Sequence, residues 1–91
     1  MSYTLRYHED VRDVDIPKLD AAIKKRIKKA IETRLTQAPQ DYGKPLRKTL
    51  KGYWKLRVGD YRVIFKLSDK TIVILGICHR KEIYKLILGR V

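Results

Sequence analysis

The chain has 91 residues, 44% of them apolar, with 22 Lys and Arg against 10 Asp and Glu for a formal charge of +12. That length supports one domain with one modest core and not two, and a single cysteine, Cys78, excludes an intrachain disulfide or a Cys-rich metal site. The cation excess points to a polyanionic partner, nucleic acid before membrane, with an acidic protein as the other reading.

The charge is unevenly placed. Residues 1 to 46 carry 10 bases and 7 acids (+3), whereas residues 47 to 91 carry 12 bases and 3 acids (+9). The N-terminal MSYTLRYHED lacks the apolar run of a signal peptide, and no segment approaches the roughly 20 apolar residues of a membrane span. A soluble, cytoplasmic protein in a reducing compartment is expected.

In chain order, SYTLRYH (residues 2 to 8) alternates Tyr3, Leu5 and Tyr7 with polar residues, a period of two that predicts a first strand. Residues 9 to 14 read as a short helical turn. Pro17 then falls just inside the start of a long helix, with Asp15 as its expected cap. Leu19, Ile23, Ile27, Ile31 and Leu35, widened by Ala22 and Ala30, form an apolar stripe; Lys24, Lys25, Lys28, Lys29 and Arg34 occupy the opposite face. That face is either a nucleic-acid contact or a solvated helix surface. Residues 36 to 52, with Pro39, Gly43, Pro45 and Gly52, read as a crossing loop with a basic end.

Three strands are expected next: 53 to 58, 61 to 67 and 71 to 79. Gly59 and Asp60 join the first two, the glycine supplying the positive φ of a two-residue hairpin loop. TIVILGICH is apolar without alternation, as in a strand covered on both faces. RKEIYKLILGRV is long enough for a short terminal helix. The order gives an α+β domain spanning residues 1–91: a small antiparallel β-sheet of about four strands packed on N-terminal helices, with a short C-terminal helix.

A two-residue loop at Gly59-Asp60 fixes the hairpin register. Arg57 then opposes Arg62, Lys55 opposes Ile64, and Tyr53 opposes Lys66; on the other face Trp54 opposes Phe65, Leu56 opposes Val63, and Val58 opposes Tyr61. One face is apolar and must meet the helix. The other gathers Tyr53, Lys55, Arg57, Arg62 and Lys66, although directly opposed like charges destabilise a sheet. Such a cluster either keeps the outer face soluble or awaits a polyanion. CHRKEIY favours the second reading, because it brings His79, Arg80, Lys81 and Tyr84 to the end of the neighbouring strand.

No carboxylate pair is placed for acid–base work, no Gly-rich phosphate loop is present, and two distant histidines make no metal site. RNA brings its own nucleophile. Attack of a 2′-hydroxyl on the adjacent phosphodiester needs a base, an acid for the leaving 5′-oxygen and cations for the charge on phosphorus. Lys, Arg, His and Tyr can supply all three roles without a metal or other cofactor. A lysine becomes a usable base where neighbouring cations disfavour its charged form, and Arg57 and Arg62 are such neighbours of Lys55. His79 is a base without tuning, and Tyr84 can stack on an exposed nucleobase.

GYWKLRVGDYRVIF followed by CHRKEIY resembles the signature of the RelE/ParE toxin superfamily, specifically its RelE-like mRNA interferase branch. The resemblance covers nearly the whole chain and implies a β-α-α-β-β-β-α layout. It implies a toxin of a type II toxin–antitoxin system, an endoribonuclease that cleaves mRNA in the ribosomal A site. A cognate RelB-like antitoxin with an acidic or amphipathic segment would bind it as a hetero-oligomer. Carried over to this sequence, Lys55 and Arg57 match the basic positions of the hairpin's first strand, with Lys55 the candidate general base. Arg62 matches the arginine that stabilises the phosphate transition state, Arg80 the acid or phosphate ligand, Tyr84 the base-stacking tyrosine, and His79 a proton-transfer position of YoeB-like branches. Arg47, Lys48, Lys51, Tyr53, Lys66 and Lys81 are further candidate RNA contacts.

Two departures stand out: Cys78 replaces the glycine usual before His-Arg, and no YoeB-type glutamate base is evident. The superfamily's ParE-like branch offers the alternative of a DNA gyrase inhibitor, and a catalytically degenerate member is a further alternative.

Overall fold

In the computed structural model, residues 3–46 and 52–90 are described. A five-stranded mixed sheet has the order β1-β5-β4-β3-β2, with β1 at Thr4–Tyr7, β2 at Lys44–Pro45, β3 at Tyr53–Val58, β4 at Tyr61–Ser68 and β5 at Thr71–His79. The expected α+β class is present, with β3, β4 and β5 as an antiparallel meander. Two features were not expected. β1 pairs parallel to β5, Thr4 beside Thr71 and Tyr7 beside Ile74, and the crossing segment supplies helix α2 (Pro39–Tyr42) and the two-residue strand β2.

The N-terminal helices also begin differently. A π-helical turn (Val11–Asp15) and a 3-10 turn (Ile16–Lys18) hold Pro17, and helix α1 (Ala21–Ala30) starts only after them. Its cap is Asp20, whose carboxylate accepts from the Ile23 N–H at 2.9 Å. Asp15 is not a cap. It is buried, its Oδ2 accepts the Ile77 N–H at 2.8 Å, and Arg90 pairs with both of its oxygens at 2.6 and 2.7 Å. Arg90 also donates to the Leu75 carbonyl at 3.1 Å. β1 ends at Tyr7, beside Ile74, so this ion pair satisfies the backbone of β5 where the neighbouring strand gives out.

The sheet has a core on each face. Leu19, Ile27, Ala30, Ile31 and Leu35 pack against Leu56, Val58, Val63, Phe65, Ile72, Ile74 and Ile77. Ala22, assigned to the stripe by spacing, is exposed, because the buried side of the helix is narrower than the periodicity implies. On the other face, Ile83 and Ile87 of helix α3 (Ile83–Arg90) pack with Leu46, Ile64, Leu75 and Cys78. A bulge between Ile64 and Phe65 leaves Leu75 unpaired, and both Leu75 and Gly76 face α3. A Cβ at position 76 would lie 2.5 Å from the Leu86 side chain and 2.9 Å from Arg90 Nη1, so any larger residue here would have to displace both side chains of α3.

Candidate functional site

The β3–β4 register is the one the two-residue loop requires: Arg57 beside Arg62, Lys55 beside Ile64, Tyr53 beside Lys66. Gly59 has φ of +61°, the left-handed conformation that lets the strands reverse within two residues. Arg62 is held in place by this turn. Its Nη1 donates to the Gly59 carbonyl at 2.9 Å and the Tyr61 carbonyl at 2.8 Å, which leaves the rest of the guanidinium for a phosphate.

Lys55, Arg57 and Arg62 line a hollow of about 190 Å³ together with Tyr42 and Lys44. The sequence reading missed Tyr42 and Lys44, since a two-residue strand containing proline has no periodicity to detect. β2 pairs Lys44 with Lys55, so the row of cations continues across a third strand. The only sequence signal for these two was their place just before the hairpin in a loop already read as basic at its end. Tyr53 and Lys66 lie further along the hairpin, the Lys66 ammonium 5.7 Å from the Tyr53 ring centroid.

Helix α3 shares this sheet face. Cys78 pairs with Arg62 and packs with Ile83 and Ile87, so the start of α3 adjoins the cation row. Arg80 and Lys81 are exposed in the 3-10 turn Arg80–Glu82 that precedes α3, the Arg80 N–H donating to the Asp60 carbonyl at 2.9 Å. Tyr84 is exposed in the first turn of α3, with Ile83 buried beside it.

His79 is placed apart. It pairs with Tyr61, which packs on the helix-α1 side, and its ring meets Tyr61 edge-on at 5.9 Å between centroids. The register therefore sets His79 on the face opposite Lys55, Arg57 and Arg62. Its Nδ1 accepts the Lys81 N–H at 3.3 Å, and it lines a separate hollow of about 420 Å³ that also contains Lys18, Glu82 and Arg90. Arg47, Lys48 and Lys51 lie outside the described residues.

Cys78, where the signature has glycine, is buried, and its thiol is pushed up to about 11, first by burial and then by the Asp15 and Glu82 carboxylates. It is a protonated packing residue at neutral pH and no nucleophile.

The family pattern described as "ParE toxin of type II toxin-antitoxin system, parDE" matches residues 3–84. Toxin RelG of Mycobacterium tuberculosis is 36% identical over 87 residues, covering 93% of this chain and 99% of the relative. The chain belongs to the RelE/ParE toxin superfamily. Toxin RelE3 of Methanocaldococcus jannaschii is 34% identical over 73 residues, 77% of this chain and 83% of its own length. The RelBE2 toxin–antitoxin complex of Mycobacterium tuberculosis contains a chain that superposes with a TM-score of 0.80 at 34% identity, covering 88% of this chain and 100% of that one. The protein is thus a RelE-family toxin of a type II toxin–antitoxin system. Its superfamily signature maps onto the turn-braced hairpin and the start of α3, with the candidate residue His79 set on the face opposite Lys55, Arg57 and Arg62.

Proposed function

We propose that this RelE-family toxin is an endoribonuclease that cuts mRNA in the ribosomal A site. The observation that carries this reading is the hollow in which Lys44, Lys55, Arg57 and Arg62 converge with no acidic residue in its lining. Four cations on one small surface favour a group that gains negative charge, as a phosphodiester does on passing to a pentavalent transition state.

In the proposed mechanism Lys55 takes the proton of the 2′-hydroxyl, and the bond from O2′ to phosphorus forms as the bond to the 5′-oxygen breaks. The products are a 2′,3′-cyclic phosphate and a 5′-hydroxyl. Arg57 and Arg62 hold the non-bridging oxygens, and Arg62, fixed by two backbone carbonyls, needs no reorganisation to do so. Arg80 hydrogen-bonds the departing oxygen, which takes a proton from water. Tyr84 stacks on the flanking base and Tyr42 offers a second stacking surface. The step uses no metal or cofactor. His79 is left outside the chemistry by its place on the opposite face.

The proposed partner is a RelB-like antitoxin that forms a hetero-oligomer with the toxin, as in the mycobacterial RelBE2 complex. An acidic segment of such a partner would neutralise the cation row and deny RNA access to it.

The test is induced expression followed by primer extension on cellular mRNA, alongside a gyrase supercoiling assay with the purified protein. Wild type should arrest growth and leave cuts within A-site codons, and Arg62→Ala should abolish both. Growth arrest with intact mRNA and inhibited supercoiling would replace this reading with the gyrase one.

A further inference from the structure

Arg90 pairs with Asp10 and Asp15, and His8 lies beside Asp10. The cations at the free edge of β3 join none of these pairs. Besides the hollow already described, a second hollow of about 210 Å³ opens on the helix side of the same edge, lined by Arg26, Lys29, Thr33, Arg34, Arg57 and Gly59. It too has no acidic residue in its lining.

The two hollows adjoin each other. Arg57 lines both. The Arg34 guanidinium, in the second, lies 5.9 Å from the ring centroid of Tyr42, which lines the first. β2 pairs with Trp54 and Lys55, so among the described residues no strand covers β3 from Leu56 onward and both hollows border that open edge. The Arg26 guanidinium rests against the hairpin turn, 3.0 Å from where a Cβ at Gly59 would lie.

The structure also divides the basic face of α1 and of the π-helical turn Ile31–Leu35 that continues it. Lys24 and Lys28 border an apolar groove with Ile16, Leu19, Ile27 and Ile31, where their stems cover hydrocarbon. Lys29 and Arg34 instead join Arg26 in the cationic hollow.

We propose that this helix-side hollow is a second phosphate-binding site, taking the RNA backbone that flanks the cleaved linkage as the strand wraps over the β3 edge. The choice of RNA as ligand rests on the ribonuclease reading. Two arginines and a lysine suit phosphate oxygens. An acidic protein segment would need apolar anchors, and Ala30 and Val58 are all this hollow provides.

The experiment measures binding of a labelled single-stranded 2′-O-methyl RNA, which has no free 2′-hydroxyl and cannot be cut, across a salt series. Three proteins are compared: wild type, Arg26→Ala/Lys29→Ala/Arg34→Ala, and a control, Lys24→Ala/Lys25→Ala/Lys28→Ala, that removes equal charge elsewhere on the helix. Each phosphate contact with a single strand contributes about 0.7 to the slope of log affinity against log salt. The hollow variant should therefore bind roughly tenfold more weakly and lose about 2 from that slope, with the control close to wild type. If the thermal melt shows that the triple variant is unfolded, Arg26→Ala/Lys29→Ala keeps the Arg34–Tyr42 contact and should lose about 1.4. Equal losses in hollow and control variants would mean that RNA reads net charge alone, and would overturn the proposal. So would unchanged binding by a folded hollow variant, or no RNA binding by wild type. Intact mRNA in the expression experiment, together with selective loss of RNA binding here, would remove the ribonuclease reading and leave the site standing.

Discussion

At the scale of single residues, the positions of Lys55, Arg62, His79 and Cys78 make separable expectations. Arg62 is braced through Nη1 by two carbonyls while Nη2 and Nε stay free for phosphate, a division that a single ammonium nitrogen cannot reproduce. Arg62→Lys should therefore lose cleavage nearly as fully as Arg62→Ala, by about 10²-fold or more in single-turnover rate. His79→Ala should cost much less, since His79 shares a face with Tyr61. Lys55→Ala should cost more cleavage than His79→Ala in the same single-turnover assay, since only Lys55 shares a face with Arg57 and Arg62. Cys78 gives a pH signature in stability. Its thiol is protonated more tightly in the folded state than at the ordinary value of 9.0, so its contribution is intact below pH 9 and is lost as the pH climbs towards about 11. The melting temperature of wild type relative to Cys78→Ala should fall over that interval and stay level below it. The strand cations were legible in sequence because alternation and a two-residue loop assign each side chain a face. His79 was not: its nearness to Arg80 along the chain suggested a shared face, whereas adjacent strand residues point to opposite ones.

At the scale of elements, α3 and the N-terminal turns are held together by the Asp15–Arg90 pair, which is nearly buried on both sides at 6% and 10% side-chain exposure. Removing one member leaves a buried charge without its partner, at a cost of about 3–5 kcal/mol. Asp15→Ala should accordingly destabilise the protein by about 3 kcal/mol in urea titration and speed hydrogen exchange in α3 more than in β4. Cleavage should weaken with it if Tyr84 depends on α3 for its place. Gly76→Ala should be as damaging, because the new methyl meets Leu86. Asp20→Ala, an exposed cap, should cost only about 1 kcal/mol. The meander and the terminal helix were legible from apolar runs and turn residues. The role of Asp15 was hidden, since an acid just before a proline near a helix start reads as a cap, and its partner stands at the far end of the chain. β2 was hidden by its length.

At the scale of the whole molecule, Asp10 and Asp15 are neutralised at Arg90, whereas the two hollows along the β3 edge are lined by cations with no acid among them. Affinity for RNA should therefore fall steeply with salt in wild type. None of the helices in the described residues is long and apolar enough to cross a membrane. Net charge and its imbalance between halves were legible from composition. The second hollow was not, because Arg26, Lys29 and Arg34 reach Arg57 only after α1 has packed across β3. The parallel pairing of β1 with β5 carries a consequence for the order of assembly. The meander closes through neighbouring hairpins, whereas Thr4 must find Thr71 across most of the chain, a contact whose entropy cost comes due late. Leu5→Ala should then speed unfolding while leaving the folding rate almost unchanged, a φ-value near zero, against a high value for Val63→Ala in β4. The cation row would take shape on the folding chain before the last strand is in place.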